Sequence, residues 1–236
     1  RYAITPRFAH TSTPAQLDAM GALWAEHPDV LMQTHLSEQV DELAWVGSLY
    51  PQARDYLDVY EAHGLLGARG VYGHASHLSA RERDRLAEHG AGLAHCPTSN
   101  TFIGSGLFDL AGLAGAGQAT GLATDTGGGP SFSMLRTMAA AYEIAQLRGT
   151  AVHPAALLWL ATEGAAQVLH RADELGRIAP GFAADLPVLD LASPPAVAPR
   201  PARAHDIWDA VFPTIMMGDD RAIAEVWVGS RRRGGN

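Results

Sequence analysis

Val30-Leu31-Met32-Gln33-Thr34-His35-Leu36-Ser37-Glu38 opens on an apolar run and closes on a polar cluster, with His27-Pro28-Asp29 just upstream. The pattern predicts a buried strand over about 30–34 that stops at a polar edge. A His and a Glu three residues apart at such an edge add little to a core. They suit a metal ligand with an acid/base partner beside it.

Outward from this stretch, apolar runs alternate with helical patterns. Arg1-Tyr2-Ala3-Ile4 reads as a strand entering Thr5-Pro6-Arg7-Phe8. Thr13-Pro14 caps and starts a helix that runs to about Glu26. Helical patterns follow over about 41–49 and 54–63. A strand at 70–73 ends in His74, and Ser79 caps a charged helix stopped by Gly90. Strands at 91–95 and 119–123 end at His95-Cys96-Pro97 and Thr124-Asp125. Helices over about 131–148 and 154–169 close this region. Strand-helix alternation, with polar residues at each strand's C-terminal end, predicts a parallel α/β architecture. A complete (β/α)8 barrel needs eight strands and about 250 residues. Some five strands ending near 170 fit either an open sheet or a barrel without its first three units. Beyond, residues 193–203 form a Pro-rich connector. The flanking 176–191 and 222–231 read as short strands of a small β element, and Arg231-Arg232-Arg233 as a solvated tail.

The bulk numbers narrow the chemistry. The 236 residues suffice for one large domain, or one plus a small second, and 47% hydrophobic with 18% charged content is ordinary for a globular chain. A net charge of -8 argues against a nucleic-acid partner. All 17 basic residues are Arg, which removes P-loop and Schiff-base lysine chemistry. One Cys excludes an internal disulfide and a Cys-rich zinc site, and fits a reducing cytoplasm. No apolar run approaches the ~20 residues of a membrane span. No signal peptide or starting Met is visible, so the chain reads as the interior of a longer protein.

His35, Glu38, His74 and Asp125 each sit just past a predicted strand, the edge where parallel α/β folds gather their active sites. Any one His is more often structural; four such residues at strand ends favour function. Histidine nitrogen and carboxylate oxygen suit a cation such as zinc. His77, His89, His95, His153, His170 and His205 are assigned structural places, and Cys96 a buried one. Arg7 and Phe8, at another strand end, suit a flat ligand that stacks and takes paired hydrogen bonds, but equally a surface Arg with a core Phe. Gly127-Gly128-Gly129 reads as a tight turn beside Asp125.

These residues carry a resemblance. Thr5-Pro6-Arg7-Phe8, Thr34-His35-Leu36-Ser37-Glu38, Gly73-His74, Ala94-His95-Cys96-Pro97-Thr98-Ser99-Asn100, Thr124-Asp125, Met134-Leu135 and Gly218-Asp219-Asp220-Arg221 resemble motifs of the guanine deaminase family, within the amidohydrolase superfamily. Leu175-Gly176-Arg177-Ile178-Ala179-Pro180-Gly181 resembles the superfamily's return into a β-sandwich. The resemblance implies a partial (β/α)8 TIM-type barrel, about strands 4–8, over 1–172, and the C-terminal part of a small β-sandwich over 173–236. It implies one zinc ion per subunit held by His35 and Asp125, and proton shuttling by Glu38. His74 would hold the attacking water or the developing oxyanion, and Asp125 would help take the water's proton. Arg7, Phe8, His35 and Glu38 would contact guanine, converted to xanthine and ammonia in purine catabolism. The family's habit implies a homodimer. Family members also carry a His-x-His pair on their first barrel strand, supplying two further zinc ligands; this chain has none. A non-catalytic fragment, half of a split enzyme, or a sister amidohydrolase acting on another aminated heterocycle are the alternative readings.

Overall fold

The computed structural model describes residues 2–234; Arg1, predicted in the first strand, and Gly235 and Asn236, in the predicted second domain, lie outside the described residues. Five strands form one sheet: β1 (Ala3–Ile4), β2 (Leu31–Leu36), β3 (Gly70–His74), β4 (Gly92–His95) and β5 (Thr120–Leu122). They lie side by side in chain order, every neighbouring pair parallel, with β1 and β5 at the edges. Helices fill the crossovers, as parallel pairing requires.

Strand β2 buries Leu31, Met32, Thr34 and Leu36, while Gln33 is exposed and His35 half-buried. The two-residue period thus sends His35 to the more open side. The strand runs two residues beyond the predicted end, because its ladder with β3 continues through Leu36, opposite His74. Register also places His35 beside Gly73, where no side chain crowds it.

The predicted helices appear as α1 (Pro14–Glu26), α2 (Val40–Leu49), α3 (Tyr56–Ala62) and α4 (Ala80–Glu88). Thr13 caps α1 by accepting from the Gln16 N–H, and Ser79 forms a capping box with Glu82 at α4. Two short helices, α5 (Pro97–Phe102) and α6 (Leu110–Gly115), follow β4 and were not foreseen, being too brief for a periodic pattern. After α7 (Met134–Leu147), the helix expected over 154–169 is two: α8 (Pro154–Ala161) and α9 (Glu163–Val168). The break is Thr162, at φ -126° and ψ -94°. The turn lets α9 press against the sheet, where a Cβ on Gly121 would lie 2.7 Å from the Ala165 Cα.

The C-terminal part holds α10 (Ile207–Met217) and an antiparallel sheet of β6 (Leu186–Leu189), β7 (Ile223–Val228) and β8 (Arg231–Gly234). Arg231, Arg232 and Arg233 are therefore an exposed edge strand rather than a tail. Helix α10 packs on the first part: Phe212 meets Tyr142 edge-on at 5.1 Å, and Val211 and Ile215 join the core of Leu36, Tyr60, Tyr72 and Leu93. No helix among the described residues is long and apolar enough to cross a membrane.

Candidate metal centre and active site

The site assembles at the C-terminal edge of the parallel sheet, where three strand exits carry non-glycine residues in the left-handed region. Ser37 follows β2 at φ 48°, His74 ends β3 at φ 68°, and Asp125 follows β5 at φ 46°. Such conformations cost energy that the surroundings must offset, and they gather at functional sites. Here they turn the chain sharply at the points where its chemistry-bearing residues stand.

His35 is half-buried, and its Nδ1 lies 2.7 Å from the Arg7 carbonyl oxygen. A carbonyl only accepts, so Nδ1 carries the proton and Nε2 is left as a lone pair. Burial lowers the His35 pKa, opposed by the bond to Arg7. Behind it, the Tyr60 hydroxyl donates to the His35 carbonyl at 3.0 Å and accepts from the Thr34 hydroxyl at 2.7 Å.

His74 is 2% exposed. Its ring stacks on that of His35 at 5.2 Å, with 15° between planes. Its Nε2 lies 3.9 Å from the Asp125 Oδ2. On the other side, Nδ1 is 2.8 Å from the Asn100 Oδ1 and 3.5 Å from the Glu38 Oε1. One ligand atom from each of His35, His74 and Asp125 lies within 4.8 Å of the others. Two imidazoles and a carboxylate, with both rings bonded elsewhere, are the donor set of a zinc site that keeps a coordination position for water. The residues present therefore fit zinc. His74, assigned from the sequence only to the water or oxyanion, stands as a third donor within reach of the same ion.

Glu38 is 6% exposed and accepts from the Ser105 hydroxyl at 2.7 Å through Oε1. Its backbone N–H bonds to the Glu42 carboxylate at 2.9 Å. Beside Asp125 the glycines form the expected tight turn: Gly127 has φ 119°, and a Cβ on Gly128 would lie 2.7 Å from the Asp125 Oδ2. Phe8 stacks on the His35 ring at 3.9 Å, and the exposed Arg7 holds its guanidinium 5.5 Å from the Phe8 centroid. Both predicted substrate contacts thus border His35.

Among the histidines assigned to structure, His77 bonds the Ser105 carbonyl at 2.6 Å, His153 caps α8, and His170 bonds the Ala68 carbonyl at 2.7 Å. His95 is fully buried, stacked on Phe108 at 4.2 Å, and neither ring nitrogen has a hydrogen-bond partner. Asn100 and Ser105 were not singled out from the sequence as site residues. Asn100 stands in a recognisable run after Cys96-Pro97, whereas nothing local to Ser105 signals its reach to Glu38.

A family model described as amidohydrolase family matches residues 1–233. The chain belongs to the amidohydrolase family. It is 42% identical over 230 residues to guanine deaminase of Escherichia coli, covering 98% of this chain and 52% of that relative. The solved E. coli guanine deaminase superposes with a TM-score of 0.96 at 41% identity, over 99% of this chain and 54% of that one. A guanine deaminase from C. acetobutylicum, solved with guanine bound in its active site, gives 0.86 at 25% identity, over 96% and 54%. A mutant atrazine chlorohydrolase from Arthrobacter aurescens, complexed with zinc and atraton, gives 0.80 at 26%, over 98% and 50%. This amidohydrolase chain spans about half the length of the curated relatives it matches.

Proposed function

We propose that this chain is the part of a guanine deaminase that carries its proton shuttle and part of its zinc site, acting in the cytoplasm in purine catabolism. The observation carrying the reading is the convergence of His35, His74 and Asp125 with the buried Glu38 carboxylate on one side. The likeness to guanine deaminases supports guanine as substrate. The five parallel strands are read as strands 4–8 of a (β/α)8 barrel over 1–172. The antiparallel sheet is read as the C-terminal part of a β-sandwich over 173–236. The complete protein is proposed as a homodimer with one zinc per subunit.

His35 and Asp125 would hold the zinc, with His74 facing it. When bound, zinc would lower the pKa of a water molecule toward neutrality. Arg7 and Phe8 orient the purine, Phe8 by stacking and Arg7 by paired hydrogen bonds. Asp125 takes a proton from the attacking water, and the new C–O bond forms at C2 of guanine. Both protons of that water pass through Asp125 and Glu38, Glu38 delivering one to the ring nitrogen and one to the departing amine; the C2–N bond breaks, the added oxygen becomes the C2 carbonyl, and ammonia and xanthine leave. His74 steadies the oxygen that gains charge.

The test uses a longer protein containing this chain, purified with zinc. It should release ammonia from guanine, and Glu38→Gln should lower kcat at least about a hundredfold. Turnover of another aminated heterocycle with guanine left untouched would refute the reading. Residues 1–236 alone should hold less than one zinc per molecule and leave guanine unchanged.

A further inference from the structure

We infer that Asn100 is a positioning residue: its side-chain carbonyl takes the His74 Nδ1 proton and so leaves the Glu38 carboxylate free to exchange protons. His74 Nδ1 faces two oxygens, the Asn100 Oδ1 at 2.8 Å and the Glu38 Oε1 at 3.5 Å. Both accept, so a proton sits on Nδ1, while Nε2 faces the Asp125 Oδ2 at 3.9 Å. The shorter contact assigns that proton to Asn100.

The arrangement separates two demands. A buried imidazole N–H needs an acceptor. Were the Asn100 oxygen missing, the nearest would be Glu38. A charge-assisted bond to the ring would then occupy the group proposed to move protons. A neutral amide orients the ring as well without competing for charge. His35 is treated alike, its Nδ1 proton going to the neutral Arg7 carbonyl.

Asn100 is itself fixed. It is 1% exposed, and its amide NH2 donates to the Ser76 hydroxyl at 3.1 Å. Its backbone carbonyl accepts from the Ser105 N–H at 2.8 Å. Ser105 in turn donates its hydroxyl to the same Glu38 Oε1 that faces His74. Helix α5 therefore supplies an acceptor to His74, the loop just after it supplies a donor to Glu38, and the two together hold the side chains apart.

The test follows the His74 Nδ1–H resonance by nitrogen-15 NMR in the metal-free chain, which reads the inference without relying on zinc or turnover. In wild type the proton should reside on Nδ1, and Glu38→Gln should leave its resonance in place. In Asn100→Leu it should move downfield, and adding Glu38→Gln should then reverse the move. Asn100→Asp keeps an oxygen at the same place, so its resonance should stay insensitive to Glu38→Gln. The inference is overturned if the wild-type proton sits on Nε2, if Glu38→Gln alone displaces the signal, or if Asn100→Leu leaves it unmoved. Should Asn100→Leu not fold, the wild type, the Glu38→Gln protein and the Asn100→Asp pair decide the question. Absence of guanine turnover in the longer zinc-loaded protein, with these resonances as expected, would count against the deaminase reading and not against the role of Asn100.

Discussion

Acid should unfold this protein in part through one fully buried histidine. His95 is 0% exposed, neither nitrogen has a partner, and burial pushes its pKa from 6.5 down to about 3. A base whose folded pKa lies below its unfolded value binds fewer protons when native. Stability is therefore lost as pH falls from about 6.5 toward about 3. At pH 5 the linkage amounts to roughly 2 kcal/mol, and at pH 7 to a small fraction of that. Burial also lowers His35 and His10, which act in the same direction, so the wild-type slope alone does not isolate His95. Its replacement does. His95→Leu keeps the volume, removes two unsatisfied nitrogens and loses the flat contact with Phe108, terms of about 1 kcal/mol each with opposite sign. At pH 7 the variant should match wild type within about 1 kcal/mol. At pH 5 it should be more stable by roughly 2 kcal/mol. Urea unfolding at the two pH values, followed by the fluorescence of the five tryptophans, measures both numbers. Equal acid sensitivity in the two proteins would refute the argument, since His95 would then be charged or partnered in the native state.

Other consequences follow from the same packing. The Cys96 thiol is pushed up to about 12, chiefly by burial and also by the nearby Asp125 charge. Its alkylation by iodoacetamide at pH 8 should be at least about a hundredfold slower in the native protein than in urea, read by mass spectrometry; equal rates would show that the thiol is open. Tyr60→Phe removes the donor to the His35 carbonyl and the acceptor of the Thr34 hydroxyl. It should cost about 1–3 kcal/mol, and an unchanged urea midpoint would contradict the pairing. Buried Glu82 accepts from Ser37, Leu57 and Ser79. Glu82→Gln replaces one of its acceptors by a donor, so it should cost about 1–3 kcal/mol, whereas a variant as stable as wild type would mean the amide finds partners the carboxylate does not use.

The elements legible in the sequence are those with a period or a cap. β2 announces itself by an apolar run with a hard polar stop, and α4 by Ser79 with Glu82 three residues on. The short α5 and α6 have no period, although Asp109 caps α6, and the break at Thr162 follows from α9 pressing on Gly121, a tertiary contact. His35, Glu38, His74 and Asp125 could be picked out because parallel pairing sends every strand exit to one edge. Asn100 stands in a motif without a legible role and Ser105 in none, because what they do depends on how α5 and the loop after it fold over that edge.

The strand exits show how the site is held together. Left-handed backbone at Ser37, His74 and Asp125 would be unfavourable in isolation, and each is tied down by bonds from elsewhere. The Ser37 hydroxyl is bonded to Glu82, and the Ser37 carbonyl accepts from the His77 N–H. The His74 ring is held by Asn100, and the Asp125 carbonyl accepts from the Gly129 N–H. His77 closes the loop between these supports, since its ring holds the Ser105 carbonyl while the Ser105 hydroxyl holds Glu38. A histidine that looks structural in the sequence is therefore two bonds from the proposed proton carrier. The strain at Ser37 and His74 and the satisfaction of the buried groups belong to one network, so a change at Ser105 or His77 should reach Glu38 although neither residue is itself proposed to meet the purine.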